Sequence, residues 1–230
     1  MRPDTLEQIN PIILSIQGLL RNIDRLRLPD ASRRDLESIL VRQVSESIDR
    51  MLPGQAGHGT RTAVIACLMG QELGLEVGAL HDLKLAALLH DIGILMLPPH
   101  LRDNSAPFDP ESYSLVQNHS RLGAILLEPF MFLREAAIIV AHHHERWDGL
   151  GYPYGIRGVF IPLSARILAV ADAFEAIQVP NVPDRALRDR IALRILRVSS
   201  GTQFDPDLVD TLILIEKSRS SRDVPISTLE

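Results

Sequence analysis

The run His143-His144-Glu145-Arg146-Trp147-Asp148-Gly149-Leu150-Gly151-Tyr152-Pro153 joins two adjacent side chains able to ligate a metal to a glycine-rich loop able to hold a substrate. Working outward, His90-Asp91 stands upstream inside Leu88-Leu89-His90-Asp91-Ile92-Gly93, and Asp172 stands downstream inside Ile167-Leu168-Ala169-Val170-Ala171-Asp172-Ala173-Phe174. Both aspartates sit in apolar surroundings, where an unpaired carboxylate is costly and something must compensate it. A metal ion does so; for Asp172 a salt bridge to an arginine is the structural alternative. His58 and His119, each taken alone, read as hydrogen-bonded core histidines rather than ligands. Taken together, the set points to a metal-dependent hydrolase.

The candidate ligands are His58, His90, Asp91, His119, His143, His144 and Asp172. Imidazole and carboxylate without thiolate suit iron first, with manganese, nickel, zinc or cobalt as alternatives, and seven ligands exceed what one tetrahedral zinc requires. Two divalent metal ions fit the count. A pair of ions roughly 3.5 to 4 Å apart activates a bridging water and clamps a phosphoryl group, so the chemistry expected is phosphoester hydrolysis. On a helix His142, His143 and His144 would turn through about 100° per residue, so one of the three should face away from the site.

The chain has 230 residues, 46% of them hydrophobic, enough for one main core. A net charge of -5 supplies no basic field, which argues against a nucleic-acid polymer as partner and leaves room for a small anionic ligand. Lys84 and Lys217 are the only lysines; the remaining cations are arginines, suited to bidentate recognition of phosphate. Cys67 is the only cysteine, so no disulfide framework can form within the chain, and a reducing cytoplasm is expected. No apolar run reaches the roughly 20 residues that span a bilayer, and the N-terminus lacks a signal-peptide pattern, so no membrane insertion is expected.

Helical spacing dominates the chain, and the alternation that marks strands is nearly absent. An amphipathic helix is predicted from Leu6 to Leu28, ended by Pro29. A second follows, with Ser32 as N-cap and a stripe through Leu36, Ile39, Leu40, Ser47, Ile48 and Met51. These two form a predicted N-terminal helical hairpin over residues 1–53, serving as a homodimer interface, a connector to a signalling partner, or packing for the main core. After Pro53-Gly54, helices are predicted near 57–73, 79–92, 111–127, 132–145, 162–178 and 184–199, and a last one starts at Asp205-Pro206. Gly and Pro cluster at 93–110 and 148–162, which places long loops beside the candidate ligands. Residues 218–230 read as a flexible polar tail.

His58 with Arg61, His90-Asp91-Ile92-Gly93, His119, the run from His143 to Pro153, and Ala165-Arg166-Ile167 leading to Asp172 resemble the HD-GYP domains, over roughly residues 54 to 217. The resemblance implies an all-α, HD-type helical bundle with long loops around a metal site. It also implies a metal-dependent phosphodiesterase that hydrolyses the cyclic dinucleotide cyclic di-GMP to the linear dinucleotide or to GMP. Carried over residue by residue, His58, His90, Asp91 and Asp172 would hold one metal, His119, His143 and His144 would complete the second, and Asp91 would bridge. His90 and Asp91 thereby become catalytic, and the nucleophile would be a hydroxide bridging the metals. Arg61, Arg146, Gly151, Tyr152 and Pro153 would meet the substrate.

The chain departs from that family at three places. Ile94 occupies the position where many members carry a lysine after His-Asp-x-Gly, and Gln178-Val179-Pro180-Asn181-Val182-Pro183-Asp184 replaces a basic stretch. Gly54 stands where members with a third metal have a glutamate, so a binuclear site is expected. The ligand set is complete while the phosphate surround is depleted. Each lost charged contact costs on the order of 1.5 to 3 kcal/mol, which predicts reduced activity, an altered nucleotide phosphoester substrate, or a catalytically weak signalling or adaptor module. Arg61, Arg102, Arg121, Arg146, Arg157 and Lys84 are the cations available to compensate.

Overall fold

The computed structural model describes residues 11–25, 27–52, 56–102, 109–177 and 184–220. Among the described residues ten α-helices follow one another: α1 Pro11–Asp24, α2 Asp30–Asp49, α3 His58–Glu72, α4 Val77–Leu89, α5 Pro110–Gln117, α6 His119–Leu127, α7 Arg134–His142, α8 Leu163–Ala176, α9 Arg185–Val198 and α10 Pro206–Ser220. No β-strand forms among the described residues, so the all-α expectation holds. The centre of the bundle is α3 packed against α4 and α8, with α7 against α4 and α6 against α7. Alanine is frequent where these helices meet: Ala63 and Ala66 of α3, Ala86 and Ala87 of α4, and Ala165 and Ala171 of α8 are all buried. Small side chains let helix axes approach, and the ends of the central helices are thereby brought to one place.

Several predicted boundaries shift. The long helix expected over 111–127 is two helices, broken at Asn118, whose side chain binds the Ser114 carbonyl. The break puts His119 at the start of α6. α4 stops at Leu89, and a 3₁₀ turn over Ile92–Met96 follows, so His90 and Asp91 lie in the corner between them. α2 begins at Asp30 without a side-chain cap, so Ser32 lies inside its first turn and does not cap it. The buried face of α2 runs through Glu37, Val41, Val44, Ser45 and Ile48, while Ile39, expected inside, is 56% exposed. A charged residue can occupy that face because Glu37 pairs with His81 of α4 at 2.9 Å and with Arg33 at 2.7 Å. α10 starts behind Asp205-Pro206 as predicted and runs to Ser220, so residues 218–220 of the expected tail are helical. Residues 1–10, 53–55, 178–183 and 221–230 lie outside the described residues, and with them the predicted start of α1, the Pro53-Gly54 break, Gly54 itself and most of the stretch after Asp172.

Ile13, Ile16 and Leu20 of α1 line one small cavity with Ile92 and Leu95 of the 92–96 turn and Leu126 of α6. The same turn crosses α6 at a contact that only glycine permits. A Cβ added at Gly93 would overlap the His119 carbonyl oxygen and approach the Gly123 amide. The glycine after His-Asp thus sets how closely His119 stands to Asp91. Gly93→Ala is expected to cost about 3 kcal/mol or more, since overpacking against backbone cannot relax by a rotamer change. Urea unfolding measures it, and wild-type stability would show that the turn tolerates a side chain.

Asp82 of α4 gives a pH-dependent expectation. Burial raises its carboxyl above the ordinary value; His81 opposes the rise, and Glu135 and Glu37 add to it. A group whose folded value is raised contributes stability that is present below its unfolded value and lost as pH climbs through the folded one. Asp82→Asn should therefore melt at a higher temperature than the parent at neutral pH, with the gap closing toward about pH 4. A constant offset at every pH would count against this.

Candidate metal centre

Four helix ends deliver six of the seven candidate ligands. His58 opens α3 behind Gly57, a left-handed residue with φ +73°; His90 and Asp91 follow α4; His119 opens α6; and His143 and His144 follow α7. Asp172 alone comes from a helix interior, that of α8. The imidazoles of His90, His119 and His143 each donate from Nδ1 to a carbonyl three residues back, Ala87 at 2.9 Å, Val116 at 2.8 Å and Val140 at 2.7 Å. With Nδ1 committed to the backbone, Nε2 is the lone-pair nitrogen and points inward.

Two trios result. His58, His90 and Asp172 form one, and His119, His143 and His144 the other, with the donor atoms of each within 4.8 Å of one another. In the first, His58 Nε2 lies 3.1 Å from Asp172 Oδ1 and 3.3 Å from His90 Nε2. In the second, His119 Nε2 lies 3.1 Å from His144 Nε2 and 3.4 Å from His143 Nε2. Asp91 spans the pair, its Oδ2 3.4 Å from His90 Nε2 and its Oδ1 3.6 Å from His119 Nε2. Nitrogen lone pairs facing one another fit an ion between them. Bonds of about 2.0 to 2.2 Å to imidazole and carboxylate place neighbouring donor atoms about 3 Å apart, close to what is observed.

The two halves differ electrostatically. Burial opposes ionisation of Asp172, but hydrogen bonds from His58 and His90 outweigh it and hold its carboxyl well below the usual carboxylate range. Desolvation likewise opposes ionisation of half-buried Asp91, and the charge and hydrogen bond of His90 hold it low. Burial disfavours the His58 imidazolium, but Asp172 and then Glu175 overcome this and push it up to about 9. His143 and His144 go the other way. Burial first, then the neighbouring imidazoles, drop His143 well below its ordinary value and bring His144 down to about 3. His143 and His144 are thereby held neutral.

His142 is the histidine that faces away. α7 ends at this residue, its Nδ1 binds the Ile138 carbonyl at 2.8 Å, and its ring lies 5.1 Å from that of Tyr154. The loop that follows is fixed from several sides. Glu145, buried, accepts from the Tyr154 amide at 2.7 Å, and the Trp147 and Asp148 amides bind the carbonyls of Gln203 and Thr202. Arg166 lies over the Trp147 ring and pairs with buried Asp205. A Cβ on Gly151 would come within 2.6 Å of Glu145 Cα and the His144 carbonyl, so only glycine lets the loop fold back there. Tyr152 is thereby set with its ring 4.8 Å from that of His144, and burial raises its phenol.

The cations expected to meet substrate have other partners. Arg61 pairs with Glu175 of α8 and donates to the Ala56 carbonyl at 2.7 Å. Arg146 holds Asp148 at 2.7 Å, and Arg102 binds the carbonyls of Leu95 and Leu97, both at 2.9 Å. Arg121, Arg157 and Lys84 are exposed, Lys84 beside Cys67. Glu175 escaped the sequence reading. Its signal was the spacing Asp172-x-x-Glu175, which puts both carboxylates on one face of α8.

An all-α scaffold that converges histidines and aspartates from helix ends onto one pocket defines the HD class. The chain belongs to the HD domain family, which matches residues 42–208, and the HD-GYP resemblance read from its motifs is borne out. Over 173 residues it is 33% identical to the cyclic di-GMP phosphodiesterase response regulator RpfG of Xanthomonas campestris pv. campestris, covering 74% of this chain and 46% of that protein. Over 168 residues it is 32% identical to the 3'3'-cGAMP-specific phosphodiesterase 3 of Vibrio cholerae, covering 73% and 36%. The crystal structure of a cyclic GMP-AMP specific phosphodiesterase of Vibrio cholerae shares the fold with a TM-score of 0.65 at 24% identity, covering 80% of this chain and 49% of that one. The chain spans less than half the length of these curated relatives.

Asp91→Ala is expected to lower metal content by at least one ion per chain, because the removed carboxylate faces both trios. His142→Ala should leave the content unchanged. Elemental analysis of both purified variants decides, and full retention of metal in Asp91→Ala would remove the bridging role.

Proposed function

We propose that the chain is a metal-dependent phosphodiesterase domain acting on a cyclic dinucleotide, with cyclic di-GMP as the substrate and a binuclear centre of divalent ions, iron first. The observation that carries this reading is the pair of donor trios spanned by Asp91 in a chain of the HD family. His58, His90 and Asp172 would hold one ion, His119, His143 and His144 the other, and Asp91 both. Such a pair of ions supplies an acidified water at phosphorus and polarises the phosphoryl oxygens.

The chain's own residues supply the geometry. Backbone carbonyls aim the imidazoles, and Asp91 and Asp172 balance the charge. Tyr152, set by Gly151 and followed by Pro153, borders the second trio, where it can stack on a base of the substrate. Residues 54–217 form the catalytic domain in this proposal, acting in the cytoplasm. Residues 1–53 serve as a homodimer contact or a connector to a signalling partner, and within them α2 is joined to the bundle by the Glu37–His81 pair.

A second reading has its own support. Ile94 stands at the lysine position, and Arg61, Arg102 and Arg146 are held by groups of the protein. Both facts favour slow turnover, a different cyclic dinucleotide such as the one named for the Vibrio cholerae relatives, or a binding module.

The test is product formation by metal-loaded protein offered cyclic di-GMP and 3'3'-cGAMP, followed chromatographically. Linear dinucleotide or GMP from cyclic di-GMP is expected, with KM raised about a hundredfold over a site with both phosphate contacts, at about 1.4 kcal/mol per tenfold. Faster hydrolysis of 3'3'-cGAMP reassigns the substrate. Binding of either without hydrolysis supports the module reading.

A further inference from the structure

His90, His119 and His143 fix their inner nitrogens the same way, through a carbonyl one turn back in the chain. His58, the first residue of α3, is held differently. Its Nδ1 instead meets the Glu175 carboxylate at 2.5 Å. Glu175 is 9% exposed, and its other oxygen pairs with Arg61, one turn along α3 from His58. Arg61 is in turn held by the Ala56 carbonyl. Two i,i+3 pairs therefore mesh across the α3–α8 contact, His58 with Arg61 on one helix and Asp172 with Glu175 on the other.

We infer that Glu175, anchored by Arg61, is a positioning residue that makes the His58–His90–Asp172 half of the centre the tighter of two unequal metal subsites. The inference rests on the reading of the two trios as a metal centre. A carboxylate on the far nitrogen fixes the tautomer and strengthens the imidazole as a donor more than a neutral carbonyl does. This half also contains the carboxylate of Asp172, whereas His119, His143 and His144 form a trio of imidazoles only. A divalent cation gains most where anionic character is greatest, so the first ion is held by α3, α4 and α8, and the second fills the α6–α7 half. Arg61 then serves the protein's own carboxylate, which explains why its guanidinium turns to α8.

Titration of Mn2+ into the metal-free full chain, read by calorimetry, tests this. The parent should show two binding events of unequal affinity. Glu175→Gln keeps the shape and a neutral acceptor and should weaken the tighter event about tenfold; Glu175→Ala should weaken it up to about a hundredfold. Glu175→Asp should recover part of the loss. The weaker event should stay within about threefold in each variant, and in a His144→Ala background the tight event that persists should retain its sensitivity to Glu175→Gln. Equal weakening of both events, or parental affinities in Glu175→Gln and Glu175→Ala, would overturn the inference. Should Glu175→Ala not fold, the isosteric Glu175→Gln carries the test alone. Absence of any Mn2+ binding to the parent would instead remove the metal-centre reading itself.

Discussion

Two carboxylates, Asp91 and Asp172, are drawn out of water into a ring of imidazoles, and the rest of the structure answers to that. An uncompensated buried charge costs several kcal/mol. Compensation here is local: His58 and His90 face Asp172, and His90 and His119 face Asp91. These partners come from α3, α4, α6 and α8, which must all end, begin or cross within a few ångströms of one point. Alanine at the helix contacts and glycine at position 93 make the approach possible. The interior of this bundle is thus shaped as much by the space its polar cluster needs as by apolar burial.

Placing ligands at helix ends also orients them. A histidine just past or at the start of a helix can turn its Nδ1 to a nearby carbonyl, leaving Nε2 to project into the pocket. The arrangement recurs at His90, His119 and His143 on three separate helices. His58 instead recruits a side chain from α8, and that difference breaks the symmetry between the two trios. Around this cluster the loop after α7 is tied by Glu145, by the carbonyls of Thr202 and Gln203, and by Arg166 stacked on Trp147. It is a braced wall. The arginines that a phosphate would meet in such a pocket are engaged by Asp148, Glu175 and backbone carbonyls, so the electrostatic attraction for an anion is weaker than the donor set alone implies.

The helical class was legible because apolar residues recur at helical spacing, and the donor set was legible because aspartates in apolar runs demand a partner. Boundaries were less so. The break at Asn118 and the stop at Leu89 arise from side-chain and turn hydrogen bonds that periodicity does not register. The buried face of α2 was misplaced by about one position because Glu37 reads as a surface residue until its partner His81, on another helix, is known. Helix geometry separated His142 from His143 and His144 only as a count, one of three; the family resemblance left His142 out of the ligand set, and the fold turns it toward Tyr154 where α7 ends.

Alone, the sequence determined residue chemistry: which side chains can ligate, that no thiolate or basic tract contributes, and that two aspartates require compensation wherever the chain puts them. Tertiary structure decided the partners. Glu175 became the support of His58, and Arg61 the anchor of Glu175, because two helices far apart in the chain meet face to face. Spacing along a chain fixes which groups share a helix face; only the packing of one helix on another fixes what that face meets.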